Sequence, residues 1–293
     1  MTIRPRRSVL YMPGSNARAL EKAKTLAADA LILDLEDAVA PDAKLEARKQ
    51  VAEAVKAGGY GRRELVIRIN DLKTPWGSDD LAAAIEAQPD AILIPKVSEP
   101  QDILKVAERL DAAAAPDSVR LWAMMETPLA MLNARDIAAV AAAPESRLAC
   151  FIMGTNDLAK ETRAGFGQQR LAMLPWLMTC VAAARAFGLD IVDGVYNDFR
   201  NEEGFAAECA QGRLCGFDGK TLIHPGQIAV ANETFAPTEA EIAAARKIIA
   251  AFELPENASK GAIEIDGRMV ELLHCEMARR TVAVADAIAA REA

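Results

Sequence analysis

Residues 121–128, "LWAMMETP", run apolar for five residues and then end on an acid, Glu126. Residues 150–157, "CFIMGTND", repeat this pattern and end on Asp157. Near-continuous apolar runs of this length are typical of parallel strands that are buried on both faces of a sheet. Glu126 follows its run directly and Asp157 follows after the three residues Gly-Thr-Asn, which predicts that both acids lie at the carboxyl ends of two strands. The two stretches therefore favour a parallel sheet with carboxylates at one edge.

Six more short apolar runs occur along the chain, and alanine-rich segments with a helical pattern separate them. They are SVLYMPG (8–14), ALILDLED (30–37), ELVIRIN (64–70), AILIPK (91–96), DIVDGVY (190–196) and GKTLIHP (219–225). Eight strand–helix units in about 235 residues predict an α/β fold of the (β/α)8 TIM-barrel type. A doubly wound open sheet is the alternative, but it usually has fewer strands, and no G-x-G-x-x-G follows the first run.

The barrel pattern ends near Pro237, which predicts a catalytic domain at residues 1–235 and a C-terminal helical extension at residues 236–293. The extension contains a helix, a break rich in Gly and polar residues, a short strand "AIEI" and a final helix from about Val270. About 55 residues are too few for an independent core. We therefore expect the extension to pack on the barrel or to reach across to a neighbouring subunit.

Composition and charge narrow the class of protein. The 293 residues are 52% hydrophobic and 26% charged, as in a globular protein with a sizeable core. A net charge of -8 argues against nucleic acid and anionic membrane as main partners. The absence of an 18-residue apolar run, of a signal peptide and of any C-x-x-C pair among five cysteines predicts a cytoplasmic protein. Because the chain has only 2 histidines, we expect any metal to be bound by oxygen.

Active-site groups of a barrel lie at the carboxyl ends of its strands and in the loops that follow. The predicted strand ends carry Tyr11, Glu36 with Asp37, Arg68, Lys96, Glu126, Asp157, Asp193 and His224. Acids outnumber bases in this set, which would be repulsive without a cation. Glu126 and Asp157 end neighbouring strands, and Mg²⁺ takes one or two carboxylates while water and substrate fill its other positions. The alternative is that each acid caps the helix that follows it.

Other residues of the rim suggest how a ligand is held. The fork of Arg68 matches a substrate carboxylate, and an internal salt bridge to Glu36 or Asp37 is the alternative. At least one acid of "LDLEDAVAPDAK" should point toward the water shell of the metal. After the first run, a Gly turn and a Ser/Asn helix start precede two basic residues, which suits a phosphate or a plain helix cap. For His224 the simpler interpretation is a strand-end residue bonded to the backbone.

The motifs RSVLYMPGS, LDLEDAV, VIRIN, MMETP, GTNDLAKE and GFDGKTLIHP together resemble the HpcH/HpaI aldolase–citrate lyase family. Their order and spacing are similar along nearly the whole chain to the branch of citrate lyase beta subunits and malyl-CoA lyases, and above all to its malyl-CoA thioesterases. The resemblance implies a Mg²⁺-dependent enzyme whose metal ligands are Glu126 and Asp157. It also implies a homotrimer or homohexamer in which the C-terminal segment of a neighbour completes each active site.

The resemblance implies roles for further residues, each read from the matching position. Arg68 binds the substrate carboxylate and takes part in catalysis with Asp37. Further substrate contacts fall on Glu36, Asn156, Ile223 and His224, and CoA contacts fall on Tyr11, Asn16, Arg18 and Lys22. Asn16 stands where the lyases have a basic residue, for which Arg18 could compensate. Glu271, in "DGRMVELL", stands where the lyases have a catalytic Asp in a G-x-M-I-D motif.

The resulting expectation is retro-Claisen cleavage of a 3-hydroxy-dicarboxylyl-CoA, such as (S)-malyl-CoA, to glyoxylate and acetyl-CoA. Glutamate at 271 extends the carboxylate by one methylene, and proton transfer needs a heavy-atom reach of about 2.6–3.2 Å. Hydrolysis of the same substrate to malate and CoA by a thioesterase is therefore the alternative. A citryl-thioester lyase subunit of a citrate lyase complex, acting on an acyl-carrier-protein thioester, is the further alternative.

Overall fold

The computed structural model describes residues 3–257 and 259–292. Eight strands form a closed parallel barrel in chain order, and the last strand pairs with the first through Val9 opposite Thr221. They are β1 (Ser8–Pro13), β2 (Ala30–Asp34), β3 (Glu64–Arg68), β4 (Ala91–Ile94), β5 (Arg120–Met125), β6 (Leu148–Met153), β7 (Asp190–Asp193) and β8 (Gly219–Leu222). The predicted TIM barrel is confirmed. The strands end earlier than most of the apolar runs suggested, so Glu36 and Asp37 lie in the loop after β2.

Helices connect the strands on the outside of the barrel. They are α1 (Ala17–Ala23), α2 (Lys44–Ala57), α3 (Gly77–Ala87), α4 (Pro100–Ala112), α5 (Pro128–Leu132), α6 (Ala134–Ala139), α7 (Thr155–Thr162), α8 (Leu174–Ala186), α9 (Glu202–Leu214) and α10 (Ile228–Phe235). In α4, a capping box between Glu99 and Asp102 and a proline at the first turn fix the start. No described helix is both long enough and apolar enough to span a membrane.

Alternate residues of the strands fill the barrel interior, while their neighbours pack under the helices. The inward cluster contains Val9, Ala30, Ile32, Val66, Ala91, Leu93, Trp122, Met124, Cys150, Ile152 and Val192. Leu31 and Leu33, on the other face of β2, are also completely buried. Both faces of each strand therefore exclude water, which explains why the runs are apolar throughout rather than alternating.

Ion pairs close the amino-terminal end of the barrel. Arg6 donates through Nε and Nη2 to Glu64 at 2.8 and 2.8 Å, and its guanidinium carbon lies 5.0 Å from the centre of the Trp122 ring. Arg7 donates through Nε to Asp29 at 2.9 Å. All five side chains are buried. We call this set of five residues the barrel floor. Because its charged groups pair with one another, the reactive groups must lie at the opposite end of the barrel.

The chain divides by its internal contacts into a barrel unit, Arg6–Asn232, and a second unit made of the described residues of Met1–Pro5 and Glu233–Ala293. The second unit contains α11 (Glu239–Glu253), α12 (Leu272–Glu292) and an antiparallel hairpin of β9 (Ala262–Ile265) and β10 (Arg268–Glu271). The predicted final helix from about Val270 is present but begins two residues later, at Leu272. Asp266 and Gly267 have φ of 52° and 75°, which is the backbone of a tight hairpin turn, and residues 268–271 continue as a strand.

Candidate active site

A cavity of ≈ 300 Å³ opens at the carboxyl ends of the barrel strands. Its polar lining consists of Tyr11, Asp34, Asp37, Arg68, Glu126, Thr155, Asn156 and Asp157. Apolar and small residues complete the wall, among them Met124, Met153, Gly154, Val195 and Ile223. The barrel thus gathers most of the predicted rim residues around one space.

The two carboxylates predicted to act as a pair meet at the ammonium group of Lys96. Nζ of Lys96 lies 2.5 Å from Asp157 Oδ1 and 3.6 Å from Glu126 Oε1. The backbone N–H of Lys96 donates to the same Glu126 oxygen at 2.8 Å. Helix capping does not account for Glu126, because Thr127 caps α5 by accepting from the N–H of Ala130. The pair is therefore arranged around a positive charge.

This donor set fits a divalent cation bound by oxygen. Burial raises the pKa of Glu126 to about 8, while Lys96 opposes that rise, so the carboxylate needs a nearby cation to stay ionised. A Cβ at Gly154 would lie 2.6 Å from Glu126 Oε2, so only glycine leaves room for this carboxylate. Within residues 3–257 and 259–292, no three His, Cys, Asp or Glu side chains form a metal-binding group. Two carboxylates would leave positions of Mg²⁺ to water and substrate.

Arg68 is anchored by Asp34, an acid that sequence reasoning did not single out. Nε and Nη2 of Arg68 donate to the two carboxylate oxygens of Asp34 at 2.6 and 2.6 Å. Nη1 lies 2.8 Å from Glu36 Oε2 and donates to Asp37 at 3.3 Å. Nε and Nη2 are thus paired with a carboxylate of the protein itself, as is usual for an arginine whose side chain is only 7% exposed. Nη1 is the nitrogen outside the pair with Asp34, and it makes the internal contacts with Glu36 and Asp37 that the sequence offered as the alternative to a substrate carboxylate.

The two acids after β2 have different environments. Burial raises the pKa of Glu36 to about 7, and the charge of Arg68 works against that rise. Oε2 of Glu36 is buried and has no hydrogen-bond partner in the described chain, since the contact with Arg68 is close but poorly aligned. The Asp37 side chain is 67% exposed and lines the cavity. Glu36 can therefore change protonation near neutral pH, whereas Asp37 is open to a ligand.

The start of α7 supplies hydrogen-bond donors to the same cavity. The cavity is lined by Thr155, Asn156 and Asp157. The first backbone N–H of this helix that donates within it is that of Leu158, and its acceptor is the carbonyl oxygen of Gly154. The N–H groups before it have no acceptor within the helix. The Thr155 hydroxyl oxygen is buried without a hydrogen-bond partner in the described chain. Sequence reasoning missed Thr155, although a helix that begins directly after a strand, at "GTND", was a usable signal.

The remaining predicted residues lie in four places. Ile223 lines the cavity, and the ring of His224 stacks on Phe199 with centroids 4.8 Å apart. Nδ1 of His224 accepts from the N–H of Gly226 at 3.1 Å, as expected for a backbone-bonded histidine. Asp193 does not line the cavity; it is buried and accepts a hydrogen bond from Nζ of Lys220 at 2.9 Å. Asn16 caps α1, which exposes Arg18 and Lys22, and Glu271 ends β10 in the second unit.

Fold and site together define a (β/α)8-barrel protein whose strand ends hold an acid-rich cavity. The family described as HpcH/HpaI aldolase/citrate lyase matches residues 7–225. A (3S)-malyl-CoA thioesterase of Cereibacter sphaeroides is 54% identical over 286 residues, which cover 98% of this chain and 96% of that protein. An L-malyl-CoA/beta-methylmalyl-CoA lyase of the same species is 35% identical over 313 residues, covering 98% and 96%.

A solved structure gives the same result. Protein CitE from Mycobacterium tuberculosis, in complex with magnesium, acetoacetate and coenzyme A, matches with a TM-score of 0.74 at 28% identity and covers 95% of this chain and 97% of that one. The chain belongs to the HpcH/HpaI aldolase/citrate lyase family, as its motifs predicted.

Proposed function

We propose that this chain is a Mg²⁺-dependent enzyme that hydrolyses the CoA thioester of a 3-hydroxy dicarboxylic acid, with (3S)-malyl-CoA converted to malate and CoA. The observation that carries this choice is the 54% identity to a (3S)-malyl-CoA thioesterase along 98% of the chain. The motifs of the sequence alone favour C–C cleavage. The lower identity of 35% to a malyl-CoA lyase reverses that order, and cleavage to glyoxylate and acetyl-CoA becomes the second candidate.

The charged groups of the cavity suit this class of substrate. Glu126 and Asp157 would hold Mg²⁺, which when bound supplies Lewis-acid polarisation of substrate oxygens. Nη1 of Arg68 would bind the free carboxylate, with Asp34 keeping the guanidinium in plane. The hydroxyl of Thr155, which has no partner in the described chain, would donate to a substrate oxygen. Asn156 and Ile223 would contact the acyl group from the cavity wall, and His224 from beside Phe199.

Tyr11, Asn16, Arg18 and Lys22 would bind CoA, because α1 carries the two cations next to the strand that holds Tyr11. The phosphates of CoA are dianionic or monoanionic and suit such flexible cations. All five cysteines are free thiols. That is consistent with a reducing cytoplasm, which we include in the proposal.

Proton transfer would fall to Glu271 of another subunit in a homotrimer or homohexamer, together with Asp37 and the buried Glu36. In hydrolysis, Glu271 takes a proton from the attacking water, oxygen bonds to the thioester carbonyl carbon, and the CoA thiolate leaves and is protonated. In C–C cleavage, Asp37 takes the proton of the substrate hydroxyl, the C–C bond breaks with release of glyoxylate, and protonated Glu271 gives its proton to the acetyl-CoA enolate carbon. The hairpin supports this role because it presents Glu271 at the end of β10, half exposed.

Product analysis separates these reactions. The protein is incubated with (S)-malyl-CoA and Mg²⁺, and malate, free CoA, glyoxylate and acetyl-CoA are measured, with Glu126→Gln as the control for background hydrolysis. Malate and CoA in equal amounts without glyoxylate are expected. Glyoxylate with acetyl-CoA would reject hydrolysis in favour of the lyase. Activity on an acyl-carrier-protein thioester alone would favour the citrate lyase subunit, which stays a prediction.

Subunit mixing tests whether Glu271 acts in another chain. Glu126→Gln and Glu271→Gln are each expected to be inactive as purified oligomers. Refolding the two together at equal amounts should restore about a quarter of the wild-type activity if each site combines two chains of a cyclic oligomer. A mixture as inactive as its components would reject the shared site.

A further inference from the structure

Lys96 has no role in the proposed reaction, yet its backbone is fixed to the metal site. It follows β4 with φ of 54°, a left-handed conformation that residues with a side chain seldom adopt. Its N–H donates to Glu126 Oε1 at 2.8 Å, and strained backbone of this kind clusters at functional sites. The main chain is therefore held in place, while the flexible four-carbon stem leaves the ammonium group free to move.

The ammonium group lies where a metal ion would have to bind. Nζ is 2.5 Å from Asp157 Oδ1 and 3.6 Å from Glu126 Oε1. Mg²⁺ binds carboxylate oxygens at about 2.0–2.1 Å and would need the space between the same two oxygens. Repulsion between two cations at such distances is strong where water is scarce, and the Glu126 side chain is 1% exposed. The ammonium group and a divalent cation therefore exclude each other.

We propose that Lys96 is the resident counter-cation of this carboxylate pair: its ammonium group bridges Glu126 and Asp157 without a divalent cation, and divalent cation binding displaces it toward Glu36. Oε2 of Glu36 is buried, and its close contact with Nη1 of Arg68 at 2.8 Å is not aligned as a hydrogen bond, so an ammonium group that arrives there supplies the aligned donor that Arg68 does not. The charges of Glu36 and Lys96 already act on each other in this arrangement. This inference rests on the proposed Mg²⁺ site and adds a side-chain movement to its loading.

The sign of one measurement separates this role from that of an ordinary ion pair. If Lys96 only holds the two carboxylates in position, its removal weakens divalent cation binding. If Lys96 competes for the site, its removal tightens binding. The same change destabilises the protein when the metal is absent, because the buried Glu126 and the partly buried Asp157 lose their cation.

The test uses Lys96→Met, which keeps the length of the side chain and removes its charge. Mg²⁺ binding to chelator-treated full-length protein is measured by titration calorimetry, and the unfolding midpoint is measured with chelator and with Mg²⁺. We expect the dissociation constant to fall by at least about tenfold (about 1.4 kcal/mol). We also expect a lower midpoint without metal and a larger rise on adding Mg²⁺. Lys105→Met, an equal loss of charge at an exposed position of α4, should leave all three values unchanged.

Mg²⁺ binding to Lys96→Met that is equal to wild type or weaker overturns the inference. If Lys96→Met does not fold, Lys96→Gln removes the same charge with a polar head and must show the same tightening. Lys96→Arg keeps a cation and should bind Mg²⁺ no more tightly than wild type; tighter binding overturns the competition. Absence of Mg²⁺ binding by wild type would instead overturn the proposed metal site itself, which distinguishes the two failures.

Discussion

Replacement of Asp34 by asparagine tests whether Asp34 is what anchors Arg68. Asp34 accepts two hydrogen bonds of 2.6 Å from the guanidinium and two from the backbone N–H groups of Glu36 and Ala38, at 2.9 and 3.1 Å. The two side chains are 1% and 7% exposed. Asparagine keeps the shape, but its NH₂ group would face a guanidinium donor, and the negative charge is lost. Arg68 would then depend on Nη1 alone for its counter-charges.

The expected cost follows from this burial. Breaking a buried ion pair by removing one partner costs about 3–5 kcal/mol. In a domain of this size, 1 kcal/mol shifts the unfolding midpoint by about 2–4 °C, so Asp34→Asn should lower it by roughly 6–20 °C. Urea unfolding followed by far-ultraviolet circular dichroism measures the loss directly, and KM for malyl-CoA should rise because the guanidinium is no longer held in plane.

Asp79→Asn is the matched control, since Asp79 pairs with Arg48 at 3.1 Å but its side chain is 71% exposed. An exposed pair contributes about 0–1 kcal/mol, so this variant should unfold close to wild type. If Asp34→Asn lost no more stability than Asp79→Asn, the buried pair would not be what positions Arg68.

Three further predictions concern the same end of the barrel. Glu126→Gln and Asp157→Asn should each abolish the heat of Mg²⁺ binding while retaining the circular dichroism spectrum; an unchanged titration in either variant would contradict the metal assignment. Burial raises the folded-state pKa of Glu36 from 4.5 to about 7. Between these two pH values the folded protein therefore holds a proton that the unfolded chain has lost. The stability of the metal-free protein should fall as pH rises through this range, by up to about 1.4 kcal/mol per pH unit. Glu36→Gln should reduce that slope by the share of one proton and leave the share of Glu126, whose pKa burial raises to about 8; parallel stability curves for the two proteins would refute it. Lys220→Met should cost about 3–5 kcal/mol in urea unfolding, because Lys220 is completely buried against Asp193, and adding Asp193→Asn should cost less than the sum.

The barrel and the carboxylate pair could be predicted because both depend on composition along single strands. An apolar run followed by an acid marks a buried strand and its carboxyl end, and this placed Glu126 and Asp157 together without any knowledge of side-chain contacts. Asp34 could not be found in this way. Asp34 can anchor Arg68 because the register of β2 and β3 sets the two residues opposite each other. Register depends on how two strands pair, so it cannot be read from either strand's sequence alone.

Other features depended on backbone conformations that residue types do not dictate. The position of the Lys96 ammonium group follows from a left-handed φ, which is seldom expected of lysine. β10 was missed because its residues show no buried face: Met269 is 73% exposed, so the segment lacks the alternation that marks a half-buried strand. The Asp266-Gly267 turn was the available signal for that hairpin.

The barrel floor sets where this scaffold tolerates change. Arg6 and Arg7 connect the start of β1 to β3, to Asp29 just before β2 and to the core, at the end of the barrel opposite the cavity. Substitutions there should reduce the yield of folded protein whatever the substrate, whereas substitutions in the loops after the strands should alter selectivity at little cost in yield. A combinatorial library for new acyl-CoA substrates should therefore randomise the loop positions and keep the floor constant, and a deep mutational scan should show two separate bands of sensitivity along every strand.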